Sequence, residues 1–265
     1  MAESRKCQVL VIGAGPGGYV AGIRSAQLGL DTIVVEGDKA GGTCLIRGCI
    51  PSKAIIHAAE RFESLRQHSA DGGHMGLSVK GEAEVDMVGL VSWKDSIVDR
   101  LNKGVEGLLK AAGADLIKGW ARFEGPKSCI IDTGAESVKI EAENVIIATG
   151  SSHIDLPFMP CDEEFVISST GALDLEALPK SVAIVGGGYI GLELGCALAK
   201  LGSKITVVEG MSSVLAIMDK EIRRPLEIWL KKHKVTVHTD SLARGVEIKG
   251  RGASKKAELT FEKDG

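Results

Sequence analysis

CQVLVIGAGPGGYVAGIRSAQLGLDTIVVE, residues 7–36, is the stretch that decides the fold. Residues 7–12 form a short apolar run ending in glycine, the pattern of a parallel strand buried on both faces. Gly13, Gly15 and Gly18 then turn the chain into a helix running to about Gly29. In such a turn the first glycine permits the bend, the second lets the backbone approach a pyrophosphate, and the third lets helix and strand pack closely. The helix N-terminus, with unpaired N–H groups and a favourable dipole, receives the anion. A second strand, residues 32–35, ends at Glu36, whose carboxylate suits the hydroxyls of an adenosine ribose.

The same design recurs downstream. Residues 182–185 are a strand, Gly186, Gly188 and Gly191 the turn, residues 189–201 the helix, and residues 204–208 a strand ending at Glu209. Gly13 to Glu36 and Gly186 to Glu209 are both steps of 23 residues, and Gly22/Gly195, Ala26/Ala199 and Gly29/Gly202 share the offset. This internal repeat implies two nucleotide domains of one design. Glu209 is followed by Gly210, Met211, Ser212 and Ser213, with no Arg or Lys. A 2′-phosphate wants a cation there and a 2′-hydroxyl wants a carboxylate, so the second site is expected to prefer NAD over NADP.

Between the repeats lies GGTCLIRGCIPSK, residues 41–53. Cys44 and Cys49 have four residues between them. Pro51 suits the first turn of a helix expected over residues 51–69, with Ile55, Ala58, Ala59 and Phe62 on its buried side. Cys49 would then sit just ahead of a helix N-terminus with Lys53 one turn on, a setting that stabilises a thiolate. A dithiol between two nucleotide turns suggests an electron relay. Of the other cysteines, Cys7, Cys129 and Cys196 read as small core residues, and Cys161 as incidental in a loop.

The remaining segments are read more coarsely. Residues 70–85 are a loop flanked by His68 and His74, both taken as solvated. Residues 88–112 are an amphipathic helix with Ile97, Leu101, Val105, Leu108 and Leu109 inward and Lys94, Asp95, Asp99, Arg100, Lys103 and Glu106 outward. Residues 116–123, 128–132 and 137–141 read as a small antiparallel meander, and 144–148 as a separate buried strand. Residues 151–178, with Pro157, Pro160 and the adjoining Pro179, are the expected connector between domains at 1–150 and 151–265. Residues 219–233 are a helix, 235–238 a strand and 245–261 a hairpin. The fold class is α/β, with two Rossmann-like dinucleotide-binding domains, each a parallel sheet plus a small antiparallel meander.

A net charge of −3 carries no bias toward nucleic acid or membrane surfaces. No apolar run reaches the roughly 18 residues of a membrane span. Residues 1–6 lack a signal or transit pattern, so a cytoplasmic, prokaryotic protein is expected. Six cysteines in 265 residues do not make a secreted disulfide framework. No metal role is expected, because no second cysteine or histidine pair has zinc-ligand spacing.

With GGTC-xxx-GCIPSK at 41–53, ATG at 148–150, SSTGAL at 168–173 and GGGYIGLE at 186–193, the chain resembles the lipoamide-linked branch of the pyridine nucleotide-disulfide oxidoreductase family. The resemblance runs along the whole chain. It implies FAD on Gly13, Gly15, Pro16, Gly18, Glu36, Gly42, Thr43, Lys53, Gly119, Ala121, Thr149, Gly150 and Ser151. It implies NAD on Gly186, Gly187, Gly188, Tyr189, Ile190, Gly191, Glu193 and Glu209, with Tyr189 gating the nicotinamide pocket. Cys44 would exchange with dihydrolipoamide or a lipoylated protein, Cys49 would be the charge-transfer thiol, and Lys53 would pair with Glu193 near the flavin. Two departures stand out. Where relatives have a pair such as Asn-Val, this chain has Ile46-Arg47, and Arg47 is expected to add positive potential near Cys49 and make the disulfide more oxidising. Relatives are also far longer, returning to the FAD domain and ending in a dimer-forming domain that supplies a His-Glu acid/base pair. The chain therefore reads as a fragment with little lipoamide turnover alone, its homodimer in doubt. Competing readings are a glutathione- or mercuric-type flavin disulfide reductase, and a non-catalytic dinucleotide-binding module that scaffolds a lipoyl-protein complex.

Overall fold

A computed structural model describes residues 3–69 and 76–263. His74 and the 70–75 part of the expected loop lie outside the described residues. The chain divides into two compact units, Met1–Pro51 with Asp95–Ser152, and Ser52–Lys94 with His153–Gly265.

The first unit opens with β1 (Glu3–Ile12), α1 (Pro16–Gln27), β2 (Thr32–Glu36) and the short α2 (Gly42–Arg47). Helix α3 (Cys49–Ser69) begins in it, and α4 (Met87–Ala112) ends in it. Four strands follow: β3 (Asp115–Lys118), β4 (Trp120–Gly125), β5 (Ser128–Asp132) and β6 (Ser137–Ile147). All six strands form one sheet in the order β3-β2-β1-β6-β5-β4. Strand β1 pairs in parallel with β2 and β6, whereas β5 runs antiparallel to both β4 and β6.

The apolar run of β1 follows from burial on both faces. Leu10 and Ile12 join a core with Ile33, Val35, Ile131 and Ile140, while Val9 and Val11 face Val34, Val105 and Leu109. Alternate side chains serve opposite faces, so neither set can be polar.

The antiparallel meander is β4-β5-β6, continuous with the parallel strands in one sheet, and its bounds are corrected. Residues 116–123 split into β3, which extends the parallel sheet beside β2, and β4, which pairs with β5. Residues 137–141 and 144–148 are largely one strand, β6, whose register on β1 runs from Glu3↔Val138 to Ile12↔Ile147. Strand β1 starts at Glu3 rather than Cys7, and that extension gives the first half of β6 a partner.

Helix α4 also differs in detail. Val105 and Leu109 are buried, but Leu101 and Leu108 are exposed. Lys94, expected on the solvated face, is 3 % exposed and ion-paired with Asp174. It sits one turn from Leu90 on the buried stripe, and a paired carboxylate makes a buried ammonium tolerable.

The second unit holds β7 (Ser181–Val185), α5 (Tyr189–Leu201), β8 (Lys204–Val208), α6 (Lys220–Lys232) and β9 (Thr236–His238), with a parallel sheet β7-β8-β9. Strands β10 (Ser241–Lys249) and β11 (Lys256–Lys263) form an antiparallel hairpin with an irregularity between Ala243 and Gly245. Ile55 and Ala59 of α3 are buried with Leu90, Leu173 and, from α5, Leu194, Ala197 and Leu201; Ala58 and Phe62 pack against them. That seam is the apolar side expected for residues 51–69.

Candidate functional site

In the first unit, Glu36, Gly42 and residues 148–149 approach one turn, and Gly119 joins through Glu36. Gly13 has φ +101° and donates its N–H to Val35 O at 2.7 Å. Gly15 caps α1, and Pro16 fills a first-turn position where its missing N–H costs nothing. A Cβ on Gly42 would lie 2.4 Å from Gly15 Cα, so the 41–53 stretch presses directly on the turn. Thr149 lies beside Gly13, and Gly150 and Ser151 follow, all three exposed. Gly119 donates its N–H to Glu36 O at 2.9 Å. Ala121 packs its side chain against the core.

The Glu36 carboxylate is fixed by its own turn. Oε2 accepts the Ala14 N–H at 2.7 Å and Oε1 accepts the Asp38 N–H at 2.9 Å. A carboxylate offers about four lone-pair positions, so two remain for ribose hydroxyls. Residues packed too closely for side chains, unpaired N–H groups at the start of α1 and an anchored acid together fit a dinucleotide. Trp120, missed in the sequence, is 72 % exposed and covers Gly37 immediately after that acid.

The second unit repeats this construction atom for atom. Glu209 accepts the N–H of Gly187 on Oε2 and of Met211 on Oε1, both at 2.6 Å. Gly186 has φ +97° and bonds Val208 O at 2.8 Å. Gly188 caps α5, which is entered by the exposed Tyr189 and Ile190, while Gly191 and Glu193 lie in its first turns. A cation from elsewhere in the chain does reach this segment. Arg223 of α6 donates to Ser213 Oγ at 2.5 Å, bringing a guanidinium to the segment after Glu209 that sequence proximity did not reveal. Its Nε also lies 3.5 Å from Glu227, which offsets its charge.

Cys44 and Cys49 form a disulfide, with Cα atoms 4.6 Å apart. Cys44 sits in α2, which the sequence did not reveal. Cys49 is the first residue of α3 rather than a residue ahead of it, because the helix starts two positions before Pro51. The partial positive charge of a 21-residue helix therefore falls on Cys49 itself. Arg47 departs from expectation: its guanidinium is ion-paired with Asp38. The carboxylate offsets the positive potential expected at Cys49.

Lys53 Nζ lies 2.7 Å from both carboxylate oxygens of Glu193, although 140 residues separate them. The seam of Ile55 and Ala59 against Leu194 and Ala197 sets α3 beside α5 and holds the two side chains in reach. The side chains are 58 % and 37 % exposed, so the pair adds little stability. A double-mutant cycle with Lys53→Met and Glu193→Gln, read by urea unfolding, is expected to give a coupling of about 0.3–1 kcal/mol. A coupling above about 2 kcal/mol would mean that the pair braces the fold.

The other cysteines are poor nucleophiles. Burial pushes the Cys7 and Cys196 thiols up to about 11 and also raises Cys129. Cys161 is half-buried, and its thiol is raised first by burial and then by hydrogen bonding to Asp155.

Two nucleotide turns of one design and a dithiol centre at a helix start define a class, the flavin-type disulfide oxidoreductases that use a pyridine nucleotide. The chain belongs to the pyridine nucleotide-disulphide oxidoreductase family, whose model matches residues 7–265. It is 43 % identical to a dihydrolipoyl dehydrogenase of Pseudomonas aeruginosa over 99 % of this chain and 57 % of that protein. The corresponding figures for a dihydrolipoyl dehydrogenase of Geobacillus stearothermophilus are 42 %, 97 % and 53 %. The chain thus spans about half the length of the curated relatives it matches. Among solved structures, LpdA from Mycobacterium tuberculosis aligns with a TM-score of 0.85 at 24 % identity, over 96 % of this chain and 55 % of that one. The HOCl-induced flavoprotein disulfide reductase RclA from Escherichia coli aligns with a TM-score of 0.79 at 25 % identity, over 96 % and 53 %. Among the described residues no helix is long and apolar enough to cross a membrane.

Proposed function

We propose that the chain is the two-nucleotide, disulfide-bearing part of a cytoplasmic dihydrolipoyl dehydrogenase that oxidises dihydrolipoamide, free or on a lipoylated protein, with NAD⁺. The observation that carries this reading is the Cys44–Cys49 disulfide at the start of α3, in the same unit as the first glycine turn. FAD on the first turn and NAD⁺ on the second would supply the two-electron acceptors.

The chain's own residues account for the thiol chemistry. A substrate thiolate attacks Cys44 Sγ, the Cys44–Cys49 bond breaks, and Cys49 leaves as a thiolate favoured by the helix start. The second substrate thiol, losing its proton, then attacks the substrate sulfur of the mixed disulfide. Cys44 is released and takes up a proton, and the substrate becomes a cyclic disulfide. Two electrons now reside on the Cys44/Cys49 pair. Attack at Cys44 requires the better leaving group to be Cys49, and the helix dipole makes it so. Glu36 and Glu209 would hold the ribose hydroxyls of the two nucleotides through lone pairs their backbone clamps leave open. Lys53, one turn after Cys49 and neutralised by Glu193, brings hydrogen-bond donors to the same end of α3 without a bare charge.

The test is the visible spectrum of the purified chain before and after anaerobic dihydrolipoamide. A flavin spectrum that gains long-wavelength absorption on reduction supports the reading. A protein that binds flavin and ignores the dithiol refutes it. A different disulfide substrate remains a distinct reading because RclA shares the fold, and substitution of oxidised glutathione in reverse assays separates the two. Nucleotide choice tests Glu209: Glu209→Ala is expected to weaken NAD⁺ binding about tenfold or more and to raise NADP⁺ relative to NAD⁺. Unchanged nucleotide titrations would remove Glu209 from the site.

A further inference from the structure

Residues 153–161, HIDLPFMPC, form a tight loop in the second unit. Met159 donates its N–H to Leu156 O at 2.8 Å, closing a turn over Pro157 and Phe158. The turn folds Cys161 back onto His153 and Asp155. His153 Nε2 lies 3.5 Å from Asp155 Oδ1, and the Cys161 N–H reaches the same oxygen at 3.4 Å. One ligand atom from each of His153, Asp155 and Cys161 lies within 4.8 Å of the others.

We propose that His153, Asp155 and Cys161 bind a borderline divalent cation, with Zn²⁺ as the fitting ion. The donors are an imidazole nitrogen, a carboxylate oxygen and a thiolate sulfur, the ligand types zinc takes in tetrahedral sites. Zinc bond lengths place neighbouring ligand atoms about 3.3–3.8 Å apart, so the present spread needs only side-chain rotation. His153 and Asp155 are exposed and Cys161 is half-buried, leaving them free to make that adjustment. Pro157 and Pro160 restrict the loop before binding, which lowers its ordering cost. Asp162 does not compete as a ligand through Oδ1, which accepts the N–H groups of Glu164, Phe165 and Val166.

Binding replaces the S–H bond of Cys161 with an S–Zn bond and releases one proton to solvent. No electron is transferred, and water completes the fourth position. Spacing rules did not flag the trio, because His-x-Asp-x₅-Cys is no common zinc pattern and Cys161 read as incidental.

Zn²⁺ titration by calorimetry tests the site, with the full chain metal-free and the Cys44–Cys49 bond kept oxidised. One ion per chain is expected, with a Kd below about 10 µM. Co²⁺ should produce a thiolate-to-metal absorption band, and Mg²⁺ or Ca²⁺ should not compete, since both prefer oxygen donors. Cys161→Ser should abolish the cobalt band, and His153→Ala and Asp155→Asn should each weaken Zn²⁺ at least about tenfold. Cys196→Ser should leave binding unchanged. Absence of binding, or binding that survives Cys161→Ser and His153→Ala, overturns the proposal. The readout involves neither flavin nor dithiol, so it stands or falls apart from the proposed redox function.

Discussion

Cys49→Ser is expected to slow electron uptake from a dithiol by on the order of 10³ or more, while Cys44→Ser stops uptake equally but leaves a distinct spectral mark. Either change removes the disulfide, so a dithiol finds no sulfur–sulfur bond to attack and no electron pair is stored. The two variants differ in the thiol that remains. In Cys44→Ser the survivor is Cys49, at the first position of α3, where the helix dipole favours its thiolate. If flavin is bound, that thiolate should give long-wavelength absorption without any reductant. In Cys49→Ser the survivor is Cys44, inside α2 and half-buried, and no such absorption is expected. Anaerobic stopped-flow mixing with dihydrolipoamide measures the rate loss. Thiol titration under denaturing conditions supplies a control, rising from four free cysteines in the oxidised parent to five in each variant. Equal spectra in the two variants would mean that the helix start does not set the order of the two sulfurs. Arg47→Val is a milder companion. Because Asp38 offsets the Arg47 charge, the potential of the couple should barely move.

What the sequence disclosed, and what it hid, follows from the range of the forces involved. The glycine turns, α5 and β8 were readable because a strand, a turn and a helix start are settled within a few residues. The Glu36 and Glu209 clamps belong to the same local geometry, which explains why their backbone partners repeat at one offset. The continuity of β6 was hidden, since only its pairing with β1 distinguishes one long strand from two short ones. The burial of Lys94 depends on Asp174, 80 residues away, and the approach of Arg223 to Ser213 on the packing of α6. Neither leaves a trace in periodicity. The Lys53–Glu193 pair came only through the family resemblance; no spacing rule joins residues so far apart. The start of α3 at Cys49 was missed because Pro51 marked the first turn but not which of its positions it occupied.

The two glycine turns share a sequence pattern but not a cost of substitution. Gly13→Ala is expected to destabilise the first unit by at least about 3 kcal/mol, and Gly186→Ala the second by only about 1–2 kcal/mol. Both residues have positive φ, +101° and +97°, so both substitutions carry the left-handed penalty. Their surroundings differ. A Cβ on Gly13 would lie 2.2 Å from the carbonyl oxygen of Ala148, which is fixed by its place just after β6, whereas among the described residues nothing lies within 4 Å of one on Gly186. The third glycines show the same contrast. A Cβ on Gly18 would fall 1.7 Å from Gly13 O, and one on Gly191 2.9 Å from Gly186 O. The first turn is the tighter because β6 runs parallel to β1 beside it, whereas among the described residues β7 pairs with β8 alone. Urea unfolding can separate the units through tryptophan fluorescence, in backgrounds that keep only Trp120 for the first or only Trp229 for the second. Equal losses for Gly13→Ala and Gly186→Ala would show that φ alone governs both turns and that the Ala148 carbonyl yields freely. The expected asymmetry instead makes the first turn a rigid seat, shaped by the backbone around it before any nucleotide arrives.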